Sequence, residues 1–545
     1  MGPIDWTILC LYLAGMIALS ARLARGQKNA ADYYVGGRNL PWWAVGVSTM
    51  ATQTSATSFV SIPAFVALTE GGGLSWLQYE LAVPLAMIFV MIVLIPFFRR
   101  LELISVYEYL ELRFGPGTRK LMSAIFLVSR SLATGVILYV SGLVLSVCLG
   151  LPVWICIIII AIVTIIYDTL GGMAAVVYSD VIQMVVLLGG VALCVAFALL
   201  EVGGFGAAVG MIPSERLSGI NPGHGFGDGA DMPFWGFLIG GVFLYTAYYG
   251  VDQSQTQREL SAPTTDDTKK ALVFNGLARF PLTMCYMVLG IAVGAVFLAS
   301  ADLQEAVPDD ELDQLIPQFI LAYLPVGLTG ILFAAIFSAA MSSFDSALNS
   351  LSASTLRDFV EPLRGGGSGD GWLLRAGKVV TVLWGVVITG FALLVGNLAD
   401  TVIEAINLIG SVFYGPVLAA FLAGILDPRA RGAGVTAGVV VGVGLNLVFA
   451  ADSVTGALGL LGEHDVHWMW WNLTGVVVAG VVTAVVSRFQ ERPSRETLER
   501  TTLRLSTIRD SERPWLGTYV LLVLYFVAIL VVASQSEAIL AAFAD

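Results

Sequence analysis

The stretch Ser48-Thr49-Met50-Ala51-Thr52-Gln53-Thr54-Ser55-Ala56-Thr57-Ser58 decides the fold. It lies inside an apolar segment, 41–68, that is long enough to cross a bilayer. Ala51 stands roughly 15 Å into that segment at 1.5 Å per residue, which is mid-bilayer. Hydroxyls and an amide at that depth, followed by Ser61 and Pro63, suit an interrupted helix whose freed carbonyls line a cavity. Ser and Thr also let helices pack closely, but here the polar residues cover more than one face.

The rest of the chain supplies the setting. Of 545 residues, 57% are hydrophobic and 12% are charged, about half the usual charged share of a soluble protein. The mean hydropathy is +0.83. A soluble chain of this length needs several domains and far more charged surface. The composition therefore indicates an all-α polytopic membrane protein embedded in a lipid bilayer. A net charge of −12 excludes a nucleic-acid partner. The five cysteines lie in or beside apolar stretches without metal spacing. The N-terminus has no basic n-region or clear cleavage site, so the first apolar stretch is expected to remain as a helix.

Segments of about 20 apolar residues occur about 14 times: 4–24, 41–68, 75–98, 118–149, 152–172, 176–201, 232–252, 270–300, 326–355, 376–397, 401–425, 432–451, 469–488 and 514–537. Nearly all of the 28 Lys and Arg fall in the odd-numbered loops, Arg258, Lys269 and Lys270 of the seventh loop among them. Arg130 and Arg279 are left inside spans. The positive-inside rule then places both termini outside the cytoplasm. The loop holding Asp302, Glu305, Asp309, Asp310, Glu311 and Asp313 becomes an external acidic loop. His224, His464 and His467 fall in external loops. No phosphate-binding loop is present, which argues against ATP-driven transport. The Asn472-Leu473-Thr474 sequon lies within a span and is discounted.

Two more spans are too polar. The seventh exits through Tyr245-Thr246-Ala247-Tyr248-Tyr249-Gly250-Val251-Asp252-Gln253-Ser254-Gln255. It lies five spans after the second, so the two cross in opposite directions. A broken helix opening each of two oppositely oriented five-helix halves is the inverted-repeat transporter pattern. The ninth span carries Ser338, Ser342, Ser343, Asp345 and Ser346, with Ser342, Asp345 and Ser346 on one face. Hydroxyl, carboxylate and freed carbonyl oxygens suit a small hard cation. Asp180, entering from the cytoplasmic side, is placed to join them.

These residues carry a likeness. Gly36-Gly37-Arg38-Asn39-Leu40-Pro41-Trp42-Trp43-Ala44-Val45-Gly46, Leu170 through Gln183, Asp252-Gln253 with Gln257-Arg258, and the Ser342-Ser343 helix occur in order over residues 35–425. In these stretches the chain resembles the sodium/solute symporter family, particularly bacterial sodium–sugar and sialic-acid members. The resemblance implies a five-plus-five, LeuT-type inverted-repeat core at 35–425. It leaves an extra helix at 1–34 and three at 426–545. It also implies a plasma-membrane, Na+-coupled symporter of a small-molecule solute, a sugar or a sialic-acid-like compound, working by alternating access. The main Na+ site carries over to the carbonyls of Ala51, Thr54 and Ala339 and the hydroxyls of Ser342 and Ser343. A second site carries over to Asp180, Ser342, Asp345 and Ser346, with Asp345 standing where a sialic-acid member has serine.

The solute positions carry over to Ser55, Ser58, Glu80, Ala133, Tyr245, Tyr248, Arg279 and Asn407. Glu80 matches a sugar-binding glutamate, Arg279 stands for lysine and Asn407 for glutamine, and Tyr248 falls at the aromatic inner gate. Ala133 and Tyr245 replace sugar-contacting asparagines, and Ser58 a glutamine. Ala133 also replaces the arginine that holds carboxylate in sialic-acid members. Arg130, one turn away, is either its substitute or a structural partner for an internal acid. A monocarboxylate or other organic-anion solute therefore stays open beside a sugar. Proton coupling through Asp180, Asp345 or Glu80 stays open beside Na+. An enzyme is not expected, because no nucleophile–base or metal pair is found. No signalling domain follows the last span, and paired broken helices suit alternating access better than a channel.

Overall fold

A computed structural model of the chain describes residues 2–225, 232–309, 311–364, 369–395, 402–455, 466–491, 493–503 and 511–544. The side chains of 395, 402–408 and 454–455 fall outside that description. The described residues contain helices and no strand, as expected in a medium without water to satisfy peptide groups. Among them, 11 helices are long and apolar enough to cross a membrane.

That count differs from the sequence expectation at three places. The second span is two short helices, Trp42–Gln53 and Ala56–Ala67. The seventh is a π-turn, Gly236–Gly240, followed by Gly241–Gly250. The fifth and sixth join in one helical run, Val153–Val202. Fifty residues would extend about 75 Å as one straight helix, over twice the hydrocarbon thickness. The run is broken at Gly172 by φ 55° and ψ −155°, outside the helical region.

The Leu328–Ser354 helix is the axis of the molecule. Within its spanning stretch 94% of residues are buried, against 17% for Pro3–Gly26 and 22% for Arg513–Ser534. It packs on Val153–Val202, Pro116–Leu149, Pro3–Leu23 and both pieces of the broken second span. Its start is capped from the first helix. Asp5 accepts from the Gly327 N–H at 2.7 Å and the Gly330 N–H at 3.0 Å, satisfying donors that a helix start leaves free.

Side chains assigned to loops also turn inward. Gln253–Glu259, read as cytoplasmic loop, is a helix whose seven side chains are all buried. Arg258 is therefore no solvated marker of the inner face. Its charge is tolerated because it is paired, as shown below. Lys269 is likewise buried, 2.5 Å from Glu512. Arg216, assigned to a loop by the sequence, donates to the carbonyls of Val66, Leu68 and Thr69 and closes the end of Ala56–Ala67.

A Cβ at residue 172 would lie 2.5 Å from the Tyr33 carbonyl oxygen. Gly172→Ala is expected to lower the melting temperature of the detergent-purified protein, through backbone strain of about 1–3 kcal/mol plus that clash. Gly189→Ala, on the same run with open space around it, is the control and should leave the temperature unchanged.

Candidate functional site

The second span breaks where its sequence turns polar. Thr54 (φ −99°, ψ 99°) and Ser55 (φ −98°, ψ 172°) are extended between the two short helices. The local groups are partly satisfied in place. The Thr54 N–H donates to the Ala51 carbonyl at 2.9 Å, and its hydroxyl donates to the Met50 carbonyl at 3.1 Å. The seventh span breaks similarly. Val251 (φ −135°) and Asp252 (φ −74°, ψ 122°) separate Gly241–Gly250 from Gln253–Glu259, and the Asp252 side chain caps the second piece through Ser254.

The Leu328–Ser354 helix lies against the first break. The Ser343 hydroxyl donates to the Thr52 carbonyl at 3.5 Å, and Ala339, Ser342 and Ser343 are all buried. Ser342 donates to Asp180 Oδ1 at 2.5 Å, and Ser48 donates to Asp180 Oδ2 at 2.5 Å. Asp180 is thus brought to the serines, as its position in the sequence suggested. Asp345 accepts from Tyr167 and from Ser346 (3.1 Å). The unforeseen charge is Arg258. Its guanidinium bonds Ser48 (2.9 Å) and Ser346, lies 3.6 Å from Asp180 Oδ2, and donates to the Ser254 carbonyl.

Beside this cluster is a cavity of about 200 Å³. The broken second span contributes Thr52, Gln53, Ser55, Thr57 and Ser58. The Leu74–Arg100 segment contributes Trp76, Tyr79 and Glu80, and Pro116–Leu149 contributes Ser129, Arg130 and Ala133. Tyr245, Tyr248, Asp252, Arg279, Ser343, Phe413 and Tyr414 also line it. Every solute candidate from the sequence except Asn407 is therefore found on one cavity. The side chain of Asn407 lies outside the described residues.

Glu80 and Arg279 are an ion pair with two contacts, one at 3.2 Å through Nε. Arg279 also donates to Thr54 (3.3 Å), and Thr283 donates to Glu80 (3.2 Å). The pair therefore ties the break in the second span to the Thr265–Ala299 helix. The aromatic wall is equally connected. Trp76 stacks on Tyr79 with ring centroids 5.6 Å apart, Tyr245 donates to the Tyr79 carbonyl at 2.9 Å, and Gln255 donates to the Tyr248 hydroxyl at 2.6 Å.

Sequence reading missed Trp76, Tyr79, Asp252, Phe413 and Tyr414 as cavity residues, and Ser48, Tyr167 and Arg258 as members of the polar cluster. An aromatic at membrane depth reads as core until its neighbours are known. The signal for Arg258 was present, since Gln253-Ser254-Gln255-Thr256-Gln257-Arg258 is too rich in amide and hydroxyl groups for its place between two spans.

Glu80→Gln leaves the Arg279 guanidinium buried without its counter-charge. It is expected to cost about 3–5 kcal/mol, and Glu80→Gln with Arg279→Gln should recover part of that loss. Thermal unfolding of the two variants beside the parent checks this double-mutant comparison.

Comparison with known proteins agrees with this geometry. The model of the sodium:solute symporter family matches residues 33–442. The chain is 30% identical over 492 residues to the sodium/sialic acid symporter NanT of Aliivibrio fischeri, covering 89% of this chain and 93% of that protein. It is 28% identical over 488 residues to the sodium/sialic acid symporter SiaT of Proteus mirabilis, covering 89% and 95%. A solved structure of a Na+-coupled sialic acid symporter, substrate-bound and outward-open, superposes with a TM-score of 0.77 at 25% identity, covering 91% of this chain and 99% of that one. These proteins are transporters rather than enzymes. On this match over most of its length, the chain belongs to the sodium:solute symporter family.

Proposed function

We propose that this protein is a Na+-driven symporter that imports a small polar organic solute by alternating access. The observation that carries this reading is the break at Thr54–Ser55, which faces the serines of Leu328–Ser354 across the wall of a polar and aromatic cavity. A Na+ ion held there by the carbonyls of Ala51, Thr54 and Ala339 and the hydroxyls of Ser342 and Ser343 would fix the shape of the wall that the solute meets. By linkage, a solute favoured by bound Na+ raises the affinity for Na+ by the same factor. Each inward Na+ then gains about 2.3 kcal/mol per 100 mV of potential.

A second Na+ is assigned to Asp180, Ser342, Asp345 and Ser346. Asp180 and Asp345 bring carboxylate oxygens to the serine hydroxyls beside the Arg258 guanidinium, and these are oxygen ligands of the kind a small hard cation takes. The two broken helices, five spans apart, support a ten-helix inverted-repeat core over 35–425, with one helix before it and three after. The helical segments and the placing of most basic residues in odd loops support fourteen spans with both termini outside the plasma membrane.

The test is ²²Na+ binding to the purified protein. Ser342→Ala with Ser343→Ala is expected to cut Na+ affinity at least about tenfold, corresponding to about 1.4 kcal/mol, with expression unchanged. Unaltered Na+ binding in that variant would refute the site. Solute uptake that needs a pH gradient and ignores Na+ would favour proton coupling.

A further inference from the structure

Two arginines line the cavity, and they are not equivalent. Arg279 has a partner for each of its three nitrogens: Glu80 for Nε and Nη2, and Thr54 for Nη1. Glu80 is spoken for in turn by Thr283. Arg130, near the middle of the Pro116–Leu149 helix, is 9% exposed, and its Nε has no hydrogen-bond partner. Its ion-pair neighbour among the described residues is Asp252, whose Oδ2 is 3.9 Å from Arg130 Nη1, beyond hydrogen-bond range. Asp252 has other commitments. Its Oδ1 takes the N–H and the hydroxyl of Ser254, and its Oδ2 takes the Tyr414 hydroxyl at 3.3 Å.

The Tyr248 hydroxyl is a hydrogen-bond partner of Arg130, but a guanidinium carries five donors, and leaving Nε unpaired in a buried cation is costly. The charge count points the same way. Glu80, Asp252, Arg130 and Arg279 sum to zero among the cavity's ionisable side chains. A Na+ beside Ser343, which also lines the cavity, would leave one positive charge without a partner. A neutral solute cannot balance that charge, whereas a monoanion can.

We propose that the solute is a small organic acid whose carboxylate is bound by Arg130, its body lying against Trp76, Tyr79, Tyr248 and Phe413. This rests on the Na+-symport reading and adds the substrate class to it. Arg130 is then the residue that sets selectivity for acids over neutral compounds, because its planar fork matches a carboxylate in two contacts. Glu80 and Arg279 hold the wall and do not receive the charge.

The test is a thermal-shift and binding screen of the full-length protein in Na+ and in K+. It uses matched pairs: lactate with lactamide, nicotinate with nicotinamide, and N-acetylneuraminate with its methyl ester. At least one acid is expected to stabilise the protein in Na+ while its neutral partner does not. Arg130→Gln should weaken that acid on the order of a hundredfold or more, and Arg130→Lys less. The Na+-induced shift, retained in both variants, verifies that they are folded. Equal binding of the neutral partners, no acid bound, or an acid that binds Arg130→Gln as tightly as the parent would overturn the assignment while leaving Na+ binding intact. Acid binding that needs Arg130 but is the same in K+ would sustain the anion seat and refute the Na+ coupling instead.

Discussion

A peptide group set free in hydrocarbon has no water to turn to, and leaving it unpaired costs several kcal/mol. The break at Thr54–Ser55 accepts that cost at membrane depth, and its surroundings are arranged around it. Thr54 bonds its own helix through both backbone and side chain. Ser343 reaches the Thr52 carbonyl from the central helix. Arg279 holds the Thr54 hydroxyl and is itself held by Glu80. A cation is the natural completion of such a set, because carbonyl and hydroxyl oxygens are hard ligands that a helix cannot use internally.

The same constraint explains why the buried charges come in groups. Arg258 is placed among Ser48, Asp180 and Ser346, and Arg279 against Glu80. Each group joins a broken helix to an unbroken one. Moving one piece therefore disturbs ion pairs on the other, a physical route by which a bound ion can bias the arrangement of the cavity. Further out, Arg119 is bound to Asp358 at 2.7 Å, and Ser105 and Ser123 donate to the same carboxylate. These contacts tie the start of Pro116–Leu149 to the end of the central helical run.

Much of this was legible in the sequence. The helical class followed from composition, and the two breaks from runs of hydroxyls and amides where leucine and valine were expected. Ser342 and Asp180 read as oxygen ligands because charge and hydroxyl are rare at that depth. What the sequence could not carry was partnership. Arg258 counted as a loop cation because nothing local shows that Ser48, more than two hundred residues earlier, bonds it. Arg130 and Arg279 looked alike as two arginines in two apolar spans. Only their packing separates the one that is fully bonded from the one that is not. The turn at Gly172 was read as a loop between spans, and the chain instead stays helical on both sides of one glycine.

The central claim is that Na+ is held at the break in the second span and orders it. The most direct measurement is amide hydrogen exchange of the purified protein across residues 48–58, compared in Na+ and in K+ at equal ionic strength. The account predicts slower exchange in Na+ at Thr52 through Ala56, and no cation effect in the variant with Ser342→Ala and Ser343→Ala. Identical exchange in the two cations in the unmodified protein would contradict it.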